Sequence, residues 1–247
     1  MKTFEMTDEV IRKKMDALSE TINAYIIENG IKASAFNRFF VDEGNVYNTG
    51  RRILKNEFSD LSMTTLISAS KFTGMSITEL LKTEEDFPRD ADAIKLAKIV
   101  MKDYSAGDTY LYDKVMALYE EQKKIDANRS ELSEGFVTCG LDRLYNNARK
   151  RADITFKEMA EQLGSNTIRT YFPSRFITPK LRAIRVIKLA YLFGVSVDEI
   201  TGHMTEIGNT SVDKIYYTIQ YLDDAEKGQL ISDAKDMLFE RYSNENV

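Results

Sequence analysis

Imidazole and thiol chemistry are nearly absent from this sequence. Its 247 residues include one histidine, His203, and one cysteine, Cys139. A single chain therefore cannot assemble an imidazole pair, a disulfide or a cysteine-based zinc site. The acidic groups Glu84–Asp86 and Asp223–Asp224 fall in polar stretches, where solvated charge is expected rather than a metal. No nucleophile–base pairing, phosphate-cradling glycine loop or ligand cluster is present, so we expect no enzyme activity, no cofactor and no metal. The chemistry that remains is ionic and is unevenly spread. The chain as a whole carries a net charge of −5. Arg143 to Lys188 nevertheless holds eleven Lys and Arg against Asp153, Glu158 and Glu161, a net +8. Such a segment suits phosphate neutralisation; its competing reading is a solvated helix face. Within it, Arg149–Arg151 could equally complement a helix C-terminus.

The elements that would position these charges are helices. Ile11, Met15, Leu18, Ile22 and Tyr25 step by 4, 3, 4 and 3, one face of a long helix. The same logic assigns faces to Ile94, Ala97, Met101 and Tyr104, and to Val212, Ile215, Ile219 and Leu222. Tyr216, Tyr217 and Tyr221 read as core or interface aromatics, His203 as incidental, and Cys139 as a small packing residue. Sustained strand alternation is absent, so the fold class expected is all-α. Without an apolar run of membrane-spanning length or a signal-peptide core, we expect a cytoplasmic protein with no membrane partner.

The chain also repeats itself. A shift of 120 residues lays Gly74 on Gly194, Ser76 on Ser196, Glu79 on Glu199, Leu61 on Leu181, Phe36 on Phe156 and Gly44 on Gly164. This predicts two copies, 1–126 and 127–247, with the boundary in the polar run Lys123–Gly135. In the second copy Thr155 and Glu158 form a capping-box signature, and Gly164 supplies a helix C-cap. A short polar helix follows over Ser165–Phe172, stopped by Pro173, and an apolar-striped helix runs to Gly194. Two short helices joined by a glycine turn are a helix-turn-helix, whose second helix can enter a major groove.

At these residues the sequence resembles the phage-repressor-type (lambda-repressor-like, Xre/Cro) regulators. The likeness rests on Thr155, Met159–Ala160, Gly164 and the tail Phe193–Gly202. It covers Leu141–Gly202, and Thr21–Leu81 by way of the repeat. It implies two tandem lambda-repressor-like domains, each followed by additional C-terminal helices. It also implies a sequence-specific double-stranded-DNA-binding transcriptional regulator, a repressor carried by a phage or mobile element. On that resemblance Asn166, Thr167, Arg169 and Thr170 are the base-contacting set, with Lys157, Arg175, Lys180 and Arg182 on phosphates. In the first copy the candidates are Asn45, Tyr47, Asn48 and Arg51 for bases, with Arg52 and Lys55 on the backbone. Where the family often has a DNA-touching Gln, this chain has Phe156 and Phe36.

The first copy is nearly neutral, net +1 over Thr21–Lys71. Its tail Leu61–Leu81 resembles the helix-turn-helix part of phage anti-CRISPR proteins that repress their own promoters. This opens an alternative, a protein-interaction module on the same scaffold, such as an inhibitor of a host defence. The amphipathic stretches Asp108–Lys124 and Asp224–Arg241 are placed for dimer contacts, so a homodimer is expected, although two copies in one chain could imitate its geometry.

Overall fold

The computed structural model describes residues 8–45, 47–57, 61–87, 89–132, 144, 147–162, 181–206 and 211–244. These residues are all-α, with one isolated antiparallel bridge. The helices are α1 (Asp8–Glu28), α2 (Ala33–Asp42), α3 (Thr49–Leu54), α4 (Met63–Thr73), α5 (Ile77–Leu80), α6 (Ala91–Ser105) and α7 (Tyr110–Leu132). They continue as α8 (Phe156–Gln162), α9 (Ala183–Phe193), α10 (Val197–Thr201), α11 (Val212–Tyr221) and α12 (Asp224–Asn244). A 3-10 turn spans His203–Glu206. No helix among the described residues is long and apolar enough to cross a membrane.

The compact units cut across the two sequence copies. One unit takes 1–88 and 135–201, the other 89–134 and 202–247. Each copy therefore contributes to both. The expected boundary run Lys123–Gly135 is helical through Leu132 as part of α7. Its Lys, Glu and Ala residues favour helix, and buried Asp126 accepts hydrogen bonds from the Tyr221 hydroxyl at 2.8 Å and from Gln122 at 3.4 Å.

In the first unit the repeat is visible residue for residue in one pair of helices. α4 and α9 each have 11 residues, start 120 positions apart, and end in left-handed glycine C-caps, Gly74 at φ +73° and Gly194 at φ +67°. A side chain at either glycine would be strained in that conformation. Equivalent elements then meet one another, α4 on α9 and α5 on α10. Ser62 bridges its own counterpart Arg182: the Met63 N–H donates to Leu181 O at 2.7 Å, and the Ala183 N–H to Leu61 O at 2.8 Å. Exchanging the two copies maps this pair of hydrogen bonds onto itself, which is the mark of a local two-fold axis. Nearby, fully buried Asp198 accepts from the Ile77 N–H at 2.8 Å, the Thr78 N–H at 2.7 Å and the Thr78 hydroxyl at 2.5 Å. Its carboxylate caps the N-terminus of α5, where anions are favoured. The residue that occupies its place in the first copy is Thr78 itself.

The core of this unit follows the first stripe: Ile11, Met15, Leu18 and Ile22 are buried and Tyr25 is half-buried. Phe36 lies edge-to-face against Phe40 and Phe72, at 4.8 and 4.9 Å. Tyr191 tilts against Phe87 and donates to Asp86. Burial and that hydrogen bond hold its phenol well above the ordinary tyrosine range.

The second unit pairs the following helices by the same rule. α6 packs on α11, its repeat counterpart, and α7 on α11 mirrors α12 on α6. The face assigned to α6 needs correction. Ile94 and Met101 are half-buried and Tyr104 is exposed, while Ala93, Leu96, Ala97 and Val100 form the buried face. Alanines and a buried Asp103 carry part of that face, so the largest side chains misplace it. Tyr216, Tyr217 and Tyr221 are buried, and Tyr119 meets Tyr221 edge-to-face at 5.1 Å. His203 is also buried.

Candidate nucleic-acid interface

The expected helix-turn-helix of the first copy falls on α2, its turn and α3. Helix α2 buries Phe36 and Phe40 and stops at Glu43. The chain reverses through Gly44 at φ +79°, and the Asn45 N–H returns to Phe40 O at 2.9 Å. The turn is pinned from two sides. Lys71 holds Glu43 at 2.9 Å. The Asn45 amide donates to Ser68 Oγ at 2.8 Å and accepts from Thr65 Oγ1 at 2.8 Å, both on α4.

Helix α3 has only six residues, too few to be stable alone. Its neighbours therefore fix it. Gly50 lies so close to α2 that an added Cβ would stand 2.8 Å from Asn37 Cα. Asn37 accepts the Arg51 N–H at 3.2 Å. At the other end Ser19 donates to Ile53 O at 2.8 Å and Asn23 to Leu54 O at 3.3 Å, satisfying carbonyls that a helix end leaves open.

The six residues picked from this copy separate accordingly. Tyr47 is 74% exposed, and Arg51 and Lys55 are exposed. Arg52 is half-buried, and Asn48 is a half-buried left-handed residue at φ +70° that opens α3. Asn45 has both ends of its amide engaged inside the fold. We predict that Asn45→Ala costs about 1–3 kcal/mol by removing both hydrogen bonds that tie the turn to Thr65 and Ser68 of α4, whereas Arg51→Ala leaves thermal stability unchanged. Paired melting curves check both.

In the second copy Asn166, Thr167, Arg169, Thr170, Arg175 and Lys180 lie outside the described residues, as do Gly164 and Cys139. Lys157 is exposed on α8, beside Glu161 at 3.9 Å. Arg182 is exposed at the N-cap of α9. The Thr155 signature is realised. The Glu158 N–H donates to Thr155 Oγ1 at 3.2 Å, and the Glu158 carboxylate accepts from the Thr155 hydroxyl and N–H at 2.6 and 2.8 Å. Those two bonds hold Glu158 below the usual carboxylate range.

Two of the three basic residues Arg149–Arg151 have structural uses. The Arg149 guanidinium sits 4.1 Å from the Phe156 ring centroid and donates to Ile154 O at 2.8 Å. Arg151 pairs with Glu199. Lys150 remains exposed. The aromatic at the Phe36 and Phe156 position is thus internal in the first copy, where Phe36 has no exposed surface, and lies under Arg149 in the second. Sequence reasoning missed Asp198 altogether. Its one signal was the mismatch of Thr78 with Asp198 inside an otherwise well-matched stretch of the repeat.

Among the described residues no group of three or more His, Cys, Asp or Glu could hold a metal. Comparison of the chain with protein-family models, with curated proteins and with solved structures finds no match in any of the three.

Proposed function

We propose that this chain is a sequence-specific double-stranded-DNA-binding transcriptional regulator built on two tandem helix-turn-helix domains, and that it acts by occluding a promoter. The observation that carries this reading is the local two-fold relation between the two copies. Duplex DNA offers two-fold sites, and paired helix-turn-helix units match half-sites about one helical turn apart. The basic segment Arg143–Lys188 supports it, since phosphate contacts supply much of the affinity of such proteins. The supply is smaller than the count of charges, because Arg149 and Arg151 are engaged internally. The assignment to a phage or mobile element rests on the sequence resemblance alone, as does the base-contacting set Asn166, Thr167, Arg169 and Thr170.

Selection from a random duplex pool, followed by titration of the recovered site over a range of salt, tests the reading. We expect an enriched motif and a steep salt slope. Arg169→Glu with Arg175→Glu should weaken binding at least about 30-fold. An unenriched pool would overturn the reading. It would favour the second one, a protein-interaction module in the first copy, for which the exposed groove along α2 beside Phe39 and Phe72 is the relevant surface. DNA-independent binding of a partner, abolished at Arg38 and Asp42, is the corresponding result.

A further inference from the structure

Within each unit, the contacts between the two copies are unequal in the two directions. If the two copies were interchangeable, every contact would occur twice, once in each direction. The backbone bridge at Ser62 and Arg182 obeys that rule. The charged contacts do not. Asp198 caps the first copy's α5, and the position that would return the favour is Thr78, already its partner. In the second unit Lys114 pairs with Asp233, yet the counterpart of Lys114 is Ala234. Arg89 pairs with Asp213 at 2.5 Å and lies over the Tyr216 ring, while the counterpart of Asp213 is Ala93.

These one-sided contacts discriminate between ways of pairing. Two second copies brought together by the same faces would set Asp198 beside Asp198, two buried carboxylates left with backbone donors alone and without the hydroxyl that Thr78 supplies. Two first copies would set Thr78 against Thr78 and leave both α5 N-termini without their anion. Both alternatives lose the Arg89 pair; two second copies also lose the Lys114 pair, which two first copies would keep because Asp113 stands in the place of Asp233. Buried like charges and unpaired buried groups are strongly unfavourable, so the surface selects a first copy for a second copy. A chain already contains one of each, and its own pairing faces are filled.

We propose that one chain, without a second, occupies a two-fold DNA site, its two copies taking unequal half-sites. The inequality follows from composition: net +8 over Arg143–Lys188 against net +1 over Thr21–Lys71. The homodimer expected from the sequence is replaced by an internal one. This proposal rests on the DNA-binding reading, and the experiment separates the two.

The mass of the complex with the selected duplex is measured by native mass spectrometry and light scattering. The expected result is one chain per duplex, with a motif of two related but non-identical half-sites whose stronger half is lost in Arg169→Glu. Two chains per duplex, or two identical half-sites, would overturn this proposal and leave the DNA reading standing. Absence of any selected duplex would overturn both. The selectivity of the pairing is read on the free protein. Thr78→Asp should lower the melting temperature by roughly 6–20 °C. The exchange variant, Thr78→Asp with Asp198→Thr, should recover most of that loss, because the local two-fold restores the same pair in the opposite direction. An exchange variant no more stable than Thr78→Asp alone would overturn the argument from complementary contacts.

Discussion

Phe36→Ala is expected to destabilise the unit containing α1–α5 by about 3–5 kcal/mol. Phe36 has no exposed surface and anchors an aromatic cluster with Phe40, Phe72 and, through Phe72, Phe39 and Tyr25. Truncation removes the ring and leaves a cavity that helices fixed by their own turns cannot close. Phe36→Gln, which installs the residue common in the regulators the sequence resembles, should cost a similar amount by placing an amide without partners in the same space. Urea unfolding reads both. A variant that melts normally but loses affinity for DNA would instead place Phe36 on the binding surface.

The second large effect is expected at Gly50. A Cβ there would meet Asn37 Cα at 2.8 Å, Asn37 N at 3.2 Å and Phe36 Cδ1 at 3.2 Å. The first two obstacles are backbone, so the helices themselves must separate. Gly50→Val should cost about 3 kcal/mol. It should also move Arg51 and Tyr47 with α3, since the Arg51 N–H to Asn37 bond spans the same crossing. If the proposed DNA-binding function holds, loss of affinity for the selected duplex beyond the loss of folded protein, measured at a temperature where the variant remains native, is the predicted signature. Full stability in Gly50→Val would show that the crossing is looser than its geometry implies.

Local chemistry was legible in the sequence and long-range pairing was not. The α1 stripe, the Thr155 capping box and the glycine-ended helices α4 and α9 depend on neighbours within a few residues, and the structure has them where the pattern puts them. The 120-residue shift aligned α4 with α9 so that their first and last residues correspond. What the pattern could not reveal is which faces meet. Periodicity identifies an apolar side of a helix without naming its partner, so the copies were assigned to separate domains although each contributes to both compact units. Asn45 failed for a related reason. An amide in a turn looks the same in sequence whether it faces a base or, as here, two hydroxyls on α4. The face of α6 was misjudged because small residues carry it.

The bridge between Ser62 and Arg182 also bears on how the protein is made. Its two sides are separated by 120 positions, and synthesis runs at about 5–20 residues per second. The apolar faces of α4 and α5 therefore leave the ribosome some 6–24 seconds before their partners exist. During that interval a nascent chain presents the very surface that matches another chain's second copy. On a message translated by many ribosomes in file, correct assembly then depends on the low intrinsic cost of closing a long loop within one chain, set against the concentration of neighbouring nascent chains.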